Sequence, residues 1–218
     1  MKAYHRCGDY ACGGNRAMIS GDGNSVGNNG VEFWEGFAVW IPSSENLKDI
    51  GWVVIGQYHQ NNNAAGPPQP TIAVRAEGRK LNMVVRYCDD STYRCANGEK
   101  GETNFYHGEW PRDKWVRIVL HIKFSPASAK GIFEAWVDGT QVADMHNVKV
   151  GYNSATANYP TYGIYRTSKN SCGGVYVHTL YIDEIRRKKG SGDYYDDVVP
   201  PGGKINAITP KNLRVISN

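Results

Sequence analysis

Helical periodicity is almost absent from this 218-residue chain, and no Cys-x-x-Cys pair occurs in it. Nor does any apolar run approach the ~18 residues that carry a helix across a membrane. These absences exclude a helical bundle, an interleaved α/β fold, a helical membrane protein and the commonest zinc-binding spacing. A surplus of charge is missing too. The formal net charge is +4, with one short basic run, Arg186-Arg187-Lys188-Lys189. A nucleic-acid binder shows a stronger and more clustered basic face, so neither nucleic acid nor membrane is an expected partner. That run reads first as a solvated strand end.

What is present is strand. Short β-rich runs recur between clusters of Gly, Pro, Asn and Asp. They predict strands at Arg16–Ser20, Phe33–Ile41, Trp52–Gln60, Thr71–Ala76, Leu81–Tyr87, Trp115–Phe124, Gly131–Val137, Thr161–Arg166 and Val175–Arg186. Asp138-Gly139 between two such runs is a hairpin signal. One helical turn is expected at Ser44–Asp49, capped by Ser44. Many antiparallel strands without helices imply an all-β sandwich of two packed sheets, and roughly 200–250 residues suit one such domain. The domain is expected to span residues 1–199. The breaker cluster Pro200-Pro201-Gly202-Gly203 then opens a tail or linker over residues 200–218. Asn61–Pro70 reads as a long loop overhanging the end of a strand.

Tyr and Trp outnumber Phe, 14 and 6 against 5. Flat side chains with a polar edge suit both strands and sugar binding. Of five cysteines, Cys7 with Cys12 and Cys88 with Cys95 each enclose a turn-rich gap. Two local disulfides, with Cys172 left over, point to an oxidising compartment. A secreted or periplasmic protein is therefore expected. The first residues, Met1-Lys2-Ala3-Tyr4-His5, carry no apolar signal segment, so any signal has been trimmed.

Three places could carry chemistry. In Trp52-Val53-Val54-Ile55-Gly56-Gln57-Tyr58-His59-Gln60 an apolar strand turns polar, and alternation puts Gln57 and His59 on one face. A satisfied structural histidine is the rival reading. In Thr161-Tyr162-Gly163-Ile164-Tyr165-Arg166, Gly163 clears space beside Tyr165, or else marks a bulge. The planar fork of Arg16, early in its strand, suits a carboxylate, and Arg75 and Arg86 sit similarly at strand ends.

Taken in order, these segments resemble the heparin lyase I/glucuronan lyase group of polysaccharide lyases. Phe33-Trp34-Glu35-Gly36-Phe37-Ala38-Val39-Trp40-Ile41-Pro42 is similar to its W-x-G-F-x-V-x-x-P strand, and Gly56-Gln57-Tyr58-His59 to its Q-x-H strand. Trp115–Phe124 resembles W-H-x-x-V-x-H-x-K-W-S, and Phe133–Gly139 resembles V-E-V-W-x-D-G. Tyr162–Arg166 resembles F-G-I-Y-R, and Val175–Arg186 the closing V-Y-x-D-x-I-R strand. Related alginate lyases share the Gln-x-His and Gly-x-Tyr strands, but carry R-x-E-L where this chain has Arg16-Ala17-Met18-Ile19.

The resemblance implies a concanavalin-like β-jelly roll of two antiparallel sheets with a concave substrate groove. It also implies β-elimination on an acidic polysaccharide such as glucuronan or alginate. Gln57 and Arg16 would neutralise the uronate carboxylate, while His59 and Tyr165 would move the protons. Arg75, Arg86, Tyr162 and Arg166 would line the groove. No cofactor is required for catalysis; a structural calcium at Asp183 is the one metal implied, and a monomer is expected. Two other classes compete. A glycoside hydrolase needs two suitably spaced carboxylates, for which no strand shows a pattern. A lectin-like binding domain could use the same sandwich and aromatics without converging Gln, His and Tyr.

Overall fold

The computed structural model describes residues 2–6, 16–20, 29–45, 52–60, 69–77, 79–91, 94–153, 157–166 and 177–202. Two sheets face each other. The six-stranded sheet runs β1 (Lys2–Arg6), β13 (Val177–Lys189), β3 (Glu32–Trp40), β8 (Trp115–Lys123), β9 (Gly131–Val137) and β10 (Thr140–Val148). The seven-stranded sheet runs β11 (Gly151–Tyr152), β6 (Lys80–Cys88), β5 (Ile72–Glu77), β4 (Trp52–Gln60), β12 (Asn158–Arg166) and β2 (Arg16–Ser20), and β7 (Lys100–Glu109) pairs with β6. Apart from the short parallel β11–β6 contact, the pairings are antiparallel. This is the open β-jelly roll expected from the sequence.

Alternation builds the core. Phe33, Phe37 and Val39 of β3 and Ile118, Leu120 and Ile122 of β8 point inward. They meet Ile55 and Tyr58, Ile72 and Val74, and Leu81 and Met83 from the other sheet. A charged pair reaches into the space between the sheets. Glu35, 0% exposed, accepts a hydrogen bond from the Tyr58 hydroxyl at 2.7 Å and pairs with Arg187. A buried carboxylate survives only when paired in this way. The Asp138-Gly139 hairpin forms as expected, with φ of 49° and 86° giving the positive pair that a tight β-turn needs.

The outer face of the six-stranded sheet is covered by the chain itself. Trp34, Val119 and Val198 form a small cluster joined by Trp136, Tyr194 and Tyr195. Tyr195–Val198 is the short helix α1. Gly36 permits this approach, because a Cβ there would lie 2.0 Å from the Val198 carbonyl oxygen. Neither this packing nor β1, β7 and the full length of β10 is legible in the sequence pattern. Strand β7 is polar and largely exposed, so it lacks the apolar alternation that marks a strand in sequence. The helical turn expected at Ser44–Asp49 lies mostly outside the described residues, as do Cys7, Cys12 and Cys172.

Candidate active site

A register shift decides which way Gln57 and His59 face. Strand β4 starts with Val53 and Ile55 toward the core and Val54 outward, packed with Ala73 and Val84. Strict alternation from there would send Gln57 and His59 into the core. The β4–β5 pairing instead passes from Val54↔Arg75 to Gly56↔Val74, leaving Ile55 as the extra residue of a bulge. Gly56 then also faces the core, where its missing Cβ would lie 3.4 Å from the Phe37 ring and 3.5 Å from Tyr162. The phase restarts with Gln57 outward, Tyr58 inward and His59 outward. A second irregularity lies opposite, between Tyr162 and Tyr165 of β12. Gly163 takes φ 140° there, a conformation few side chains tolerate, so it serves the bulge.

The outer face of the seven-stranded sheet is thereby ordered into rows of cross-strand partners. One row reads Arg16, Tyr165, Val54, Arg75, Asn82, Tyr106; the next reads Ser20, Thr161, Gln57, Ala73, Val84, Asn104. His59 pairs with Tyr159 one step further along, their rings 5.8 Å apart. Cross-strand partners share a face, so Gln57, His59 and Tyr165 lie on one face of two adjacent strands, Tyr165 across from Val54, Gln57 from Thr161 and His59 from Tyr159. For Arg16 and Arg166 only the backbone is described: Arg16 lies across from Tyr165, and Arg166 across from Val53.

The polar chemistry of this face is incompletely satisfied. Gln57 is 4% exposed, its Oε1 has no hydrogen-bond partner, and its Nε2 lies 3.8 Å from the Met18 sulfur. His59 Nδ1 lies 2.7 Å from the carbonyl oxygen of Gln60. A carbonyl only accepts, so Nδ1 donates, and in the neutral ring Nε2 carries the lone pair. Trp52 packs edge-on against Tyr165 with centroids 5.5 Å apart and fixes the phenol ring. Trp52 could have been read from the sequence, since it shares the outward phase of Val54.

Several expected contacts are corrected. Tyr162 is 3% exposed and packs edge-to-face on Phe37 in the inter-sheet core, so it does not line this face. Arg86, 4% exposed, holds Glu102 through Nε at 2.7 Å and the Pro70 carbonyl through Nη1 at 2.9 Å. It clamps β6 to β7 and to residue 70. Arg75 lies on the outer face, bonded to Glu77 and Asn104, both at 3.1 Å. Asp183 is exposed and accepts from its neighbour's amide. Among the described residues no other carboxylate joins it in a donor group, and calcium needs roughly six to eight oxygens, so Asp183 does not fit a calcium site. The described group that could hold a cation is Glu134, Asp144 and His146, on the other sheet.

Among the described residues, Glu77 and Glu102 on this face are both engaged by neighbouring side chains. Glu77 takes bonds from Arg75, Asn82 and Tyr106. Partial burial raises the Glu102 carboxyl, but hydrogen bonds from Asn104 and Arg86 and the charges of Arg86 and Arg75 outweigh it and hold the group below its ordinary range. Such a carboxylate is a poor general acid. A cavity of about 810 Å³ lies on the six-stranded sheet instead, lined by Trp34, His121, Glu134, Trp136 and the acidic stretch at Asp193, Asp196 and Asp197. Its acidic rim would repel a polyanion.

An open jelly roll with an amide, an imidazole and a phenol on one outer face is a frame for cleaving polysaccharide without paired carboxylates. A family model described as polysaccharide lyase matches residues 1–186, and the chain belongs to that family. Among solved structures, the endo-β-1,4-glucuronan lyase of the fungus Trichoderma reesei superimposes with a TM-score of 0.69 at 20% identity, over 86% of this chain and 78% of that one. Alginate lyase AlgAT5, of polysaccharide lyase family 7, gives 0.56 at 17% identity, over 87% and 78%. The botulinum neurotoxin serotype D/C binding domain gives 0.51 at 11%, over 85% and 39%. Likeness at these identities establishes the fold alone. A search of curated protein sequences finds no match.

Proposed function

We propose that the chain cleaves a uronic acid polymer by β-elimination on the outer face of the seven-stranded sheet. The observation that carries this reading is the bulge at Ile55, which turns Gln57 and His59 outward on the face that also carries Tyr165. The C5 proton of a uronate is weakly acidic because the adjacent carboxylate is already negative. Gln57 Nε2, with Arg16 across the sheet, donates to that carboxylate and stabilises the charge that builds on it. His59 Nε2 takes the C5 proton. The C–H electron pair forms the C4–C5 double bond, the C4–O bond breaks, and the Tyr165 hydroxyl protonates the leaving oxygen. Each role falls to a side chain.

Glucuronan is the first substrate expected and alginate the second. The Arg75–Glu77 and Arg86–Glu102 pairs cancel charge along the sheet. That leaves little surplus for a densely sulfated chain. The Cys88–Cys95 disulfide supports a secreted or periplasmic setting.

Incubation with glucuronan and alginate tests the reading. The expected result is ultraviolet absorbance from unsaturated uronyl ends, lost in Tyr165→Phe. Saturated products would mean a hydrolase instead. Binding without cleavage would mean a lectin-like domain.

A further inference from the structure

We propose that Tyr106, on the edge strand β7, is a stacking platform for a sugar ring and forms a remote subsite four strands from Tyr165. The proposal builds on the lyase reading above. Tyr165, Val54, Arg75, Asn82 and Tyr106 are successive cross-strand partners. Four strand spacings separate the two tyrosines, about 19 Å, which is several sugar rings along a polymer lying across the sheet.

Tyr106 is 57% exposed, among the few large hydrophobic side chains left open to solvent. Its neighbour Phe105 turns inward and packs on Phe133 with centroids 5.8 Å apart, so alternation sets Tyr106 outward. The ring is held by its hydroxyl, which donates to Glu77 Oε2 at 3.2 Å. The same oxygen accepts from Arg75 at 3.1 Å and from Asn82 at 2.7 Å. Glu77 thus gathers three neighbouring strands around one carboxylate and tethers an aromatic ring whose surface stays exposed. A flat apolar ring with an anchored polar tip fits the C–H face of a pyranose. Glu77 also cancels the Arg75 charge. The subsite therefore reads ring shape more than carboxylate charge, and its contribution persists at high salt.

The test compares long chains with short ones. Tyr106→Ala is expected to raise KM on polymeric glucuronan roughly threefold to tenfold, at low and high salt alike. The rise should be confined to chains long enough to reach from Tyr165 to Tyr106. Tyr106→Phe keeps the ring and is expected to recover most of the wild-type KM. Affinity electrophoresis in polymer-containing gels, in a Tyr165→Phe background, reads binding without turnover; adding Tyr106→Ala should weaken retardation. Unchanged KM and retardation in Tyr106→Ala, in an enzyme that cleaves the polymer, would overturn the subsite. So would Tyr106→Phe behaving like Tyr106→Ala. If the wild type cleaves no polyuronate, the lyase reading fails by itself, and the retardation experiment still decides the subsite.

Discussion

The two outer faces of the sandwich use similar side chains in opposite ways. On the six-stranded sheet, His121 sits between two carboxylates, with Nδ1 at 2.5 Å from Glu134 and Nε2 at 3.0 Å from Glu32. Its ring stacks on Trp34 at 4.1 Å, and Trp34 stacks on Trp136. Lys123 completes the Glu32 pair, and α1 packs alongside. On the seven-stranded sheet, His59 has its Nδ1 fixed by a backbone carbonyl, and Gln57 keeps an unpartnered amide oxygen. A histidine with both nitrogens taken by carboxylates is a structural clamp. His59 instead sits between no such carboxylates among the described residues: its Nδ1 donates to a backbone carbonyl, and the unpartnered amide oxygen beside it is a buried polar atom that calls for a ligand or water.

The largest expected effect separates the faces by activity. Tyr165→Phe should lower kcat/KM on glucuronan by about 10²–10⁴-fold and leave the thermal midpoint near that of the wild type. His121→Ala should do the reverse. It leaves Glu32 and Glu134, both largely buried, without the group between them. The expected loss is about 3 kcal/mol in urea unfolding, with kcat near wild type well below the midpoint. If His121→Ala abolished turnover in a folded protein, the division between the faces would collapse.

A smaller effect tests whether the seven-stranded sheet has a separable edge. Cys88–Cys95 closes a short loop, seven residues apart in sequence, between β6 and β7. Chain entropy gives such a loop about 2.5 kcal/mol. Cys88→Ser with Cys95→Ser should lose about that much. Hydrogen exchange should rise first in β7, and hence around Tyr106, before it rises around His121.

Much of the fold was legible in the sequence because alternation with a buried face is a strong pattern. Trp52–Gln60 and Gly131–Val137 fall where the sequence puts them. What was hidden was hidden for physical reasons. Lys100–Glu109 is an exposed edge strand with almost no inward apolar set, so Tyr106 went unnoticed with it. Alternation puts Gln57 and His59 together, but their direction hangs on the Ile55 bulge, whose one local sign is the strand-interior Gly56. The resemblance puts Tyr162 in the groove, yet it stands three positions from Tyr165 on one strand, which means opposite faces. Arg86 reads as a substrate contact until its partner Glu102 arrives from a strand the sequence conceals.

The smallest effect tests whether the two faces are coupled through the core. Glu35 of the six-stranded sheet holds Tyr58 of the other, and Tyr58 lies between Gln57 and His59. Burial raises the Glu35 carboxyl above its ordinary range, against the Arg187 charge and the hydrogen bonds of Tyr58 and Arg187. The folded state therefore keeps this proton to a higher pH than the unfolded chain does. Above the ordinary carboxylate value the native form binds more protons, so stability from this group falls as pH rises through the folded value and is full below the unfolded one. Glu35→Gln cannot titrate. The stability of the wild type relative to Glu35→Gln should be greatest near the acid end of the carboxylate range and should decline toward neutral pH. Thermal melts of both proteins across that range measure it. If the same substitution also moves the pH profile of kcat, the core pair positions His59 through Tyr58 and the faces are coupled. If only the melts move, the sheets share a stability term and the chemistry belongs to the outer face alone.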